Sequence, residues 1–274
     1  MNTFDANGAR RYLQSQGWPG ALQEMLIARM RSTPVRFFLY HDTSSMGASD
    51  GRRLLKDPLS ATCREVRCSR WAELMDMLTF HAQLSQASGA VSAFRATHDD
   101  VSQALVVGRD HGPLHELLNR LTVYPHGRTN RLAEHVAAVA ASVRLLAAQL
   151  AEARQRAVVV LVTDVEELTA AEQAALLELA KLPVKLVFRL ISGGSAALTP
   201  LDQWLSEHVF SQMVATKIGN VFEEAEEVHR INPWFTYSQE VHHLREIGAD
   251  DADIRGLKRD AWSLDQIHAL VATT

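Results

Sequence analysis

Three short stretches of the chain concentrate hydroxyl and carboxylate side chains: 41–47 (HDTSSMG), 127–130 (GRTN) and 163–167 (TDVEE). Asp42, Thr43, Ser45, Thr129 and Asp164 together offer oxygen donors only. A hard divalent cation such as Mg²⁺ or Mn²⁺ takes six oxygens in an octahedron and keeps several waters among them. Three hydroxyls and one or two carboxylates acting through water make a protein half-shell for such an ion. The open position would then suit an Asp or Glu side chain of a partner protein. Taken alone, Asp42 with Ser44 and Ser45 reads as a polar turn that caps the next helix. The co-occurrence of all three stretches points to a site.

Other chemistries find less support. His111 and His115 stand four apart with His126 nearby, yet no Glu in the HExxH position and no cysteine pair accompany them, so surface histidines are expected. His242 and His243 are adjacent and cannot face one metal from a helix; they too are expected at the surface. A serine hydrolase would need a Gly-x-Ser-x-Gly elbow, and His41 beside the hydroxyls has no evident orienting partner. A phosphatase with a strand-end nucleophile would need Asp-x-Asp, and no Gly-rich loop with Lys follows any strand. The sequence therefore predicts a binding protein and no enzyme. Arg52, Arg53 and Lys56, flanked by Asp50 and Asp57, are expected in a solvated loop. Trp71, Trp204, Trp234 and Trp262 are expected as packing anchors.

The elements that must position these groups can be read from periodicity. Apolar runs at 35–40, 90–94, 157–163 and 184–191 read as strands, two of them almost continuously apolar, as strands covered on both faces are. Between them, 69–88, 113–121, 131–154 and 169–182 show apolar residues at threes and fours. The 131–154 helix has apolar positions on more than one face and is expected to be well buried, and Thr169 with Glu172 reads as a capping box. The alternation predicts an α/β fold: a three-layer, doubly wound, mostly parallel sheet whose crevice lies beyond the carboxyl ends of the strands. The three polar stretches fall at those ends. Residues 1–33 are expected as a helical extension broken at 17–20 (GWPG), 34–215 as the α/β domain, and 216–274 as a second helical extension packed on it.

With 274 residues, 47% hydrophobic and 22% charged, the chain has the composition of a globular protein. A net charge of −4 gives no electrostatic reason to expect nucleic acid or an anionic membrane as partner. Two cysteines, Cys63 and Cys68, are too few for a disulfide scaffold, and the first residues carry no apolar segment of signal or membrane type. A cytoplasmic location is the resulting expectation.

FFLYHDTSSMG resembles the first strand and loop of von Willebrand factor A (vWA) domains, which carry Asp-x-Ser-x-Ser there. GRTN with Leu132 is similar to the family's Gly-x-Thr-x-x-Leu segment, and VVLVTD to the strand that ends on its last aspartate. CSRW at 68–71, HVFSQM, the 223–237 stretch and QGWPGALQ look like parts of an intracellular eukaryotic subgroup. The resemblance implies a protein-binding module with a metal-ion-dependent adhesion site, in which Thr43, Ser45 and Thr129 touch Mg²⁺ or Mn²⁺ and Asp164 acts through water. The motif is degenerate. Aligned without a gap, His41 takes the place of the first aspartate; with a loop one residue shorter, Asp42 takes it and Ser44 and Ser45 are the hydroxyls. A metal-free scaffold that binds through its helical extensions is the alternative.

Overall fold

The computed structural model describes residues 4–56, 63–123, 125, 127, 129–191, 199–209, 215–219, 221–233 and 237–257. His126, Trp234 and Trp262 lie outside these. At the centre runs β1 (Val35–Tyr40), paired in parallel with β4 (Val91–Ala96) on one side and β6 (Ala157–Thr163) on the other. The sheet continues through β7 (Val184–Leu190) to β8 (Ala215–Ile218), both parallel, while β5 (Leu105–Val107) closes the far edge antiparallel to β4. The chain is thus an α/β protein with a mostly parallel sheet between helical layers.

Successive residues of a strand point to opposite faces, and here both faces are covered. Phe37, Leu39, Val159 and Leu161 pack with α5 (Leu132–Glu152) and α6 (Ala170–Ala180). Phe38, Tyr40, Val158 and Val160 pack with α3 (Arg70–Ser88) and α4 (His111–Leu121). Burying each such side chain contributes about 1.5–3 kcal/mol, which is why β6 reads as an unbroken apolar run. α6 begins in the capping box of Thr169 and Glu172.

Several elements depart from the sequence reading. Arg52 and Arg53 lie in a hairpin of β2 (Gly51–Lys56) and β3 (Cys63–Cys68) rather than in a solvated loop. There Arg52 pairs with Glu65, and Arg53 with Asp76 at 3.2 Å. Short edge strands with charged residues give no long apolar run to detect, so β2, β3, β5 and β8 escape a periodicity search. The strand expected at 90–94 runs from Val91 to Ala96 instead. α5 is amphipathic: Leu132, Val136, Val139 and Val143 are buried, but Leu145 is 86% exposed.

The flanking helices form a third apolar cluster. α1 (Ala6–Ser15) and α2 (Gly20–Ser32) bring Leu13, Trp18, Leu26 and Ile27 against Phe80 and Leu84 of α3. After β7 come α7 (Pro200–Trp204), α8 (Val221–Ile231), α9 (Gln239–Glu246) and α10 (Asp251–Gly256), and Val228, Val241, Leu244 and Ile254 join the same cluster. Phe80, Trp18 and His243 pack as three nearly parallel rings, His243 3.9 Å from Phe80, and Trp18 5.5 Å from Phe80 and 6.4 Å from His243.

Beneath this cluster sits an ionic layer. His242 and His243, expected at the surface, are buried, because the helix carrying them lies face down on α3 and the sheet. Both turn to Glu246: His243 Nδ1 is 2.8 Å from its Oε2 and His242 Nε2 3.1 Å from its Oε1. His81 of α3 donates from Nε2 to Oε2 at 3.0 Å, and Arg189 Nε of β7 lies 3.7 Å from Oε1. Arg189 also pairs with Glu73 of α3 and donates to the Gly219 carbonyl at 2.5 Å. Burial pushes both His81 and His242 down to about pH 4. Burial works against the Glu246 charge as well, but His242 and His243 hold its carboxyl well below the ordinary range.

This layer makes stability depend on pH. His81 and His242 bind protons more readily unfolded than folded, so stability rises with pH between about 4 and 6.5 and falls as the solution is acidified through that window. Urea unfolding at a series of pH values is expected to show a midpoint that drops steadily below about pH 6.5, with a shallower drop in His242→Gln. Replacing Glu246 by Ala leaves Arg189 with Glu73 alone as counter-charge and strips the acceptor from three imidazoles. A loss of about 3–5 kcal/mol is expected by the same urea titration.

Candidate functional site

The carboxyl ends of β1 and β6 meet where the strand connections diverge, β4 being reached on one side of β1 and β7 on the other. In open α/β sheets that point is the binding crevice. Past β1 the chain turns at His41 and Asp42 and enters a short 3₁₀ turn, Ser44–Gly47. His41 is fully buried; its amide donates to the Val162 carbonyl, and Nδ1 lies 2.8 Å from Thr163 Oγ1 and 3.9 Å from Asp164 Oδ1. Thr43 Oγ1 and Ser45 Oγ are bonded to each other at 2.8 Å.

Asp42 faces the other way. It is ion-paired with the His98 imidazole just beyond β4, and its Oδ1 accepts from the His98 amide at 3.4 Å. Its carbonyl accepts from the Gly127 amide at 3.1 Å, part of a parallel bridge between Thr43 and Gly127. A side chain at 127 would come within 2.8 Å of His98 Cβ, so only glycine permits this approach. That contact carries the 127–130 stretch to the site. Thr129 is exposed, and Asn130 donates to Glu172 at 2.7 Å while accepting from the Leu132 amide, fixing the start of α5.

Asp164 is covered, its side chain 2% exposed, and it meets a cation that the sequence reading missed. Arg70, the first residue of α3, donates from Nη1 to Asp164 Oδ2 at 3.1 Å. Its remaining edge forms a two-bond fork with Asp50, at 2.6 and 2.7 Å. Asp50 reaches it because Gly51 presses against the Ser69 carbonyl, where a Cβ would sit 2.6 Å away. Hydrogen bonding to Asp50 is the main influence raising the Arg70 pKa, so the guanidinium is permanently charged. Burial disfavours ionised Asp164, but His41, Ser45 and Arg70 outweigh it and its carboxyl lies below the ordinary value. The one sequence signal for Arg70 is Ser69-Arg70-Trp71, a Ser N-cap opening a helix at the far side of the hairpin.

Of the five candidate metal ligands, then, Thr43 and Ser45 come together close to Asp164, Asp42 turns to His98, and Thr129 stands on the neighbouring loop. Against a hard divalent cation this set fits poorly. Beside Asp164 stands the imidazole of His41, Asp42 is committed to His98, and Asp164 already has a guanidinium. Elsewhere among the described residues, His81, His243 and Glu246 bring ligand-type atoms within 4.8 Å of one another. There the carboxylate accepts from the imidazoles and faces Arg189, so the charge is already answered without a metal.

No family model matches the chain, and no curated protein does. Among solved structures it is similar to an aerotolerance-related membrane protein from Bacteroides fragilis, with a TM-score of 0.42 and 12% identity over 81% of this chain and 99% of that one. It is also similar to the conserved hypothetical protein BatB from Bacteroides thetaiotaomicron, with a TM-score of 0.42 and 11% identity over 77% and 98% of the two chains. Among the described residues of this chain, no helix is long and apolar enough to cross a membrane.

Arg70→Ala leaves Asp164 charged and covered without its counter-ion. A loss of about 2–3 kcal/mol is expected in chemical denaturation, below the range for a fully buried pair because Arg70 keeps 18% of its side chain exposed. Arg70→Lys is expected to recover less than half of it, since an ammonium cannot bridge Asp50 and Asp164 with a fork.

Proposed function

We propose that this chain is a protein-binding module of vWA type whose strand-end site works without a divalent cation, the Arg70 guanidinium standing in for the metal. The observation that carries this reading is the 3.1 Å contact between Arg70 and Asp164, at the aspartate the resemblance assigns to metal coordination. A fixed guanidinium supplies the positive charge that Asp164 needs, and a second cation beside it would be repelled. The partner then meets the rim hydroxyls of Thr43, Ser45 and Thr129 directly, with no metal-bridged carboxylate.

The same geometry argues against a hydrolase. A serine nucleophile needs a base within hydrogen-bond reach. Ser45 is bonded to Thr43 and to Asp164, a carboxylate made a weak base by its pairing with Arg70, while His41 is turned to Thr163 and sealed from solvent.

Thermal melts in EDTA, Mg²⁺ and Mn²⁺ are expected to coincide. A resident metal at a hundredfold excess over its dissociation constant would add about 2.7 kcal/mol, and a melting temperature raised accordingly would overturn the reading. Affinity capture run in parallel with EDTA and Mg²⁺ is expected to recover the same associated proteins, and Ser45→Arg to lose them. Capture that depends on Mg²⁺ would restore the metal to the site.

A further inference from the structure

The two ends of the sheet differ in how their charges are answered. At the carboxyl end, Asp42, Asp50 and Asp164 all have counter-ions. At the amino end, Arg154 and Arg156 make no ion pair among the described residues, in a chain whose net charge is −4. Beside them the Arg31 guanidinium sits 5.9 Å above the Phe4 ring. Cations at the carboxyl ends of helices ordinarily answer the helix dipole. That role accounts for Arg31 at the end of α2 and for Arg154 just past the end of α5, but not for Arg156, which comes after the α5–β6 turn.

Arg154 itself is the only described residue other than glycine with positive φ, at 52°. This left-handed conformation costs a residue with a side chain about 1–2 kcal/mol, and Gly would relieve it. The sequence retains a guanidinium there. The three arginines are also held on one rim. Gln155 donates from Nε2 to the Arg31 carbonyl at 2.8 Å, and the Arg156 amide donates to the Ser32 carbonyl at 3.2 Å. The α5–β6 turn is thereby fastened to the end of α2.

This rim borders two hollows that share Gln155. One, of about 550 Å³, is a mainly apolar groove between α2, α5 and the amino ends of β1 and β4, with Phe4, Met30, Val35, Leu146 and Leu150 on its walls. The other, of about 570 Å³, is lined by Arg154, Arg156 and Lys181, the last paired with Glu178. We propose that this pole binds an acidic segment of a partner protein. An aromatic or aliphatic anchor of the segment fills the groove against Val35, Leu146 and Leu150, and its carboxylates lie along Arg31, Arg154 and Arg156. Cations spread over two adjoining hollows match several carboxylates along an extended chain better than the single head group of a fatty acid. The surface lies at the opposite end of the sheet from Ser45 and Arg70, so it stands or falls independently of the strand-end site.

The test is selection of a random peptide library displayed on phage against the full chain, followed by titration of the enriched peptides. Peptides with Asp or Glu flanking Trp, Phe or Leu are expected, with affinity that falls as salt rises. Leu146→Glu and the double variant Arg154→Glu/Arg156→Glu are expected to weaken them at least tenfold, while Ser45→Ala leaves them unchanged. Arg154→Gly separates binding from folding: its melting temperature is expected to be equal or higher and its peptide affinity lower. Failure to enrich acidic peptides, or enriched peptides that bind the variants as well as wild type, would sink the proposal. So would one-to-one binding of oleate at this groove in the absence of any peptide, which would make it a small-amphiphile site.

Discussion

A carboxylate taken out of water must be answered by cations or hydrogen-bond donors, and the arrangement of this molecule turns on how Glu246 is answered. Three imidazoles and Arg189 converge on it from α9, α3 and β7. The ionic contacts do not stop there. Arg189 pairs with Glu73, whose second oxygen accepts from the Arg52 amide at 2.7 Å and so holds the hairpin to α3. At the start of that hairpin, Asp50 fixes Arg70, and Arg70 fixes Asp164. A line of ion pairs and hydrogen bonds therefore runs from the carboxyl-terminal helices, past β7 and the β2–β3 hairpin, to the strand-end crevice. The last helices are part of the structure that shapes the site. The apolar cluster of α1, α2, α3, α8, α9 and α10 seals the Glu246 end of this line from solvent, and that seal keeps His81 and His242 neutral.

In the crevice the charge of Asp164 is answered by side chains of the chain itself. An imidazole at His41 brings no negative charge to a divalent cation, and Asp164 is the only carboxylate turned inward among the candidate ligands. Arg70 lies between Asp164 and Asp50, so a fixed cation already stands beside the carboxylate that Mg²⁺ would need. The exchange has a physical consequence. A metal ion offers an open coordination position to an incoming ligand, whereas the hydrogen bonds of Arg70 are taken up by Asp50 and Asp164. Recognition at this end must then rest on the hydroxyls of Thr43, Ser45 and Thr129, beside exposed Glu166 and Glu167.

The layered sheet was readable because β1, β6 and β7 are apolar on both faces and the helices between them are periodic. What stayed hidden was short or charged. β2 and β3 carry Arg, Lys and Glu on a two-stranded ribbon outside the main sheet, β5 has three residues and β8 four, and none generates a pattern that outweighs its neighbours. His242 and His243 were misread for a related reason: adjacency rules out a shared metal, but says nothing about burial, which the packing of α9 on α3 decides. At the site, the 41–47 and 163–167 stretches could be placed at strand ends from sequence, whereas 127–130, expected at a strand end too, joins α4 to α5 and reaches the site through the bridge of Gly127 to Thr43. The direction Asp42 points could not, because it depends on His98, 56 residues away. Arg70 was hidden by the same non-locality, being 94 residues from Asp164 and delivered by a hairpin that the sequence does not announce.

A doubly wound sheet has two ends, and the attention given to strand carboxyl ends rests on the loops there being free to carry function. In this chain the carboxylates of Asp42, Asp50 and Asp164 at that end are answered by the chain's own cations, which leaves the rim hydroxyls to a partner. The amino end is built otherwise, with the α5–β6 turn fastened to α2 by Gln155, a strained Arg154, and an apolar groove left open beside it. Rigid backbone, unanswered cations and accessible apolar surface are the three ingredients of a charged-peptide site, the first lowering the entropy cost of binding and the others supplying steering and hold. Strain retained in a guanidinium-bearing residue, where glycine would be more stable, is the mark that separates such a surface from a chance cluster of surface charges.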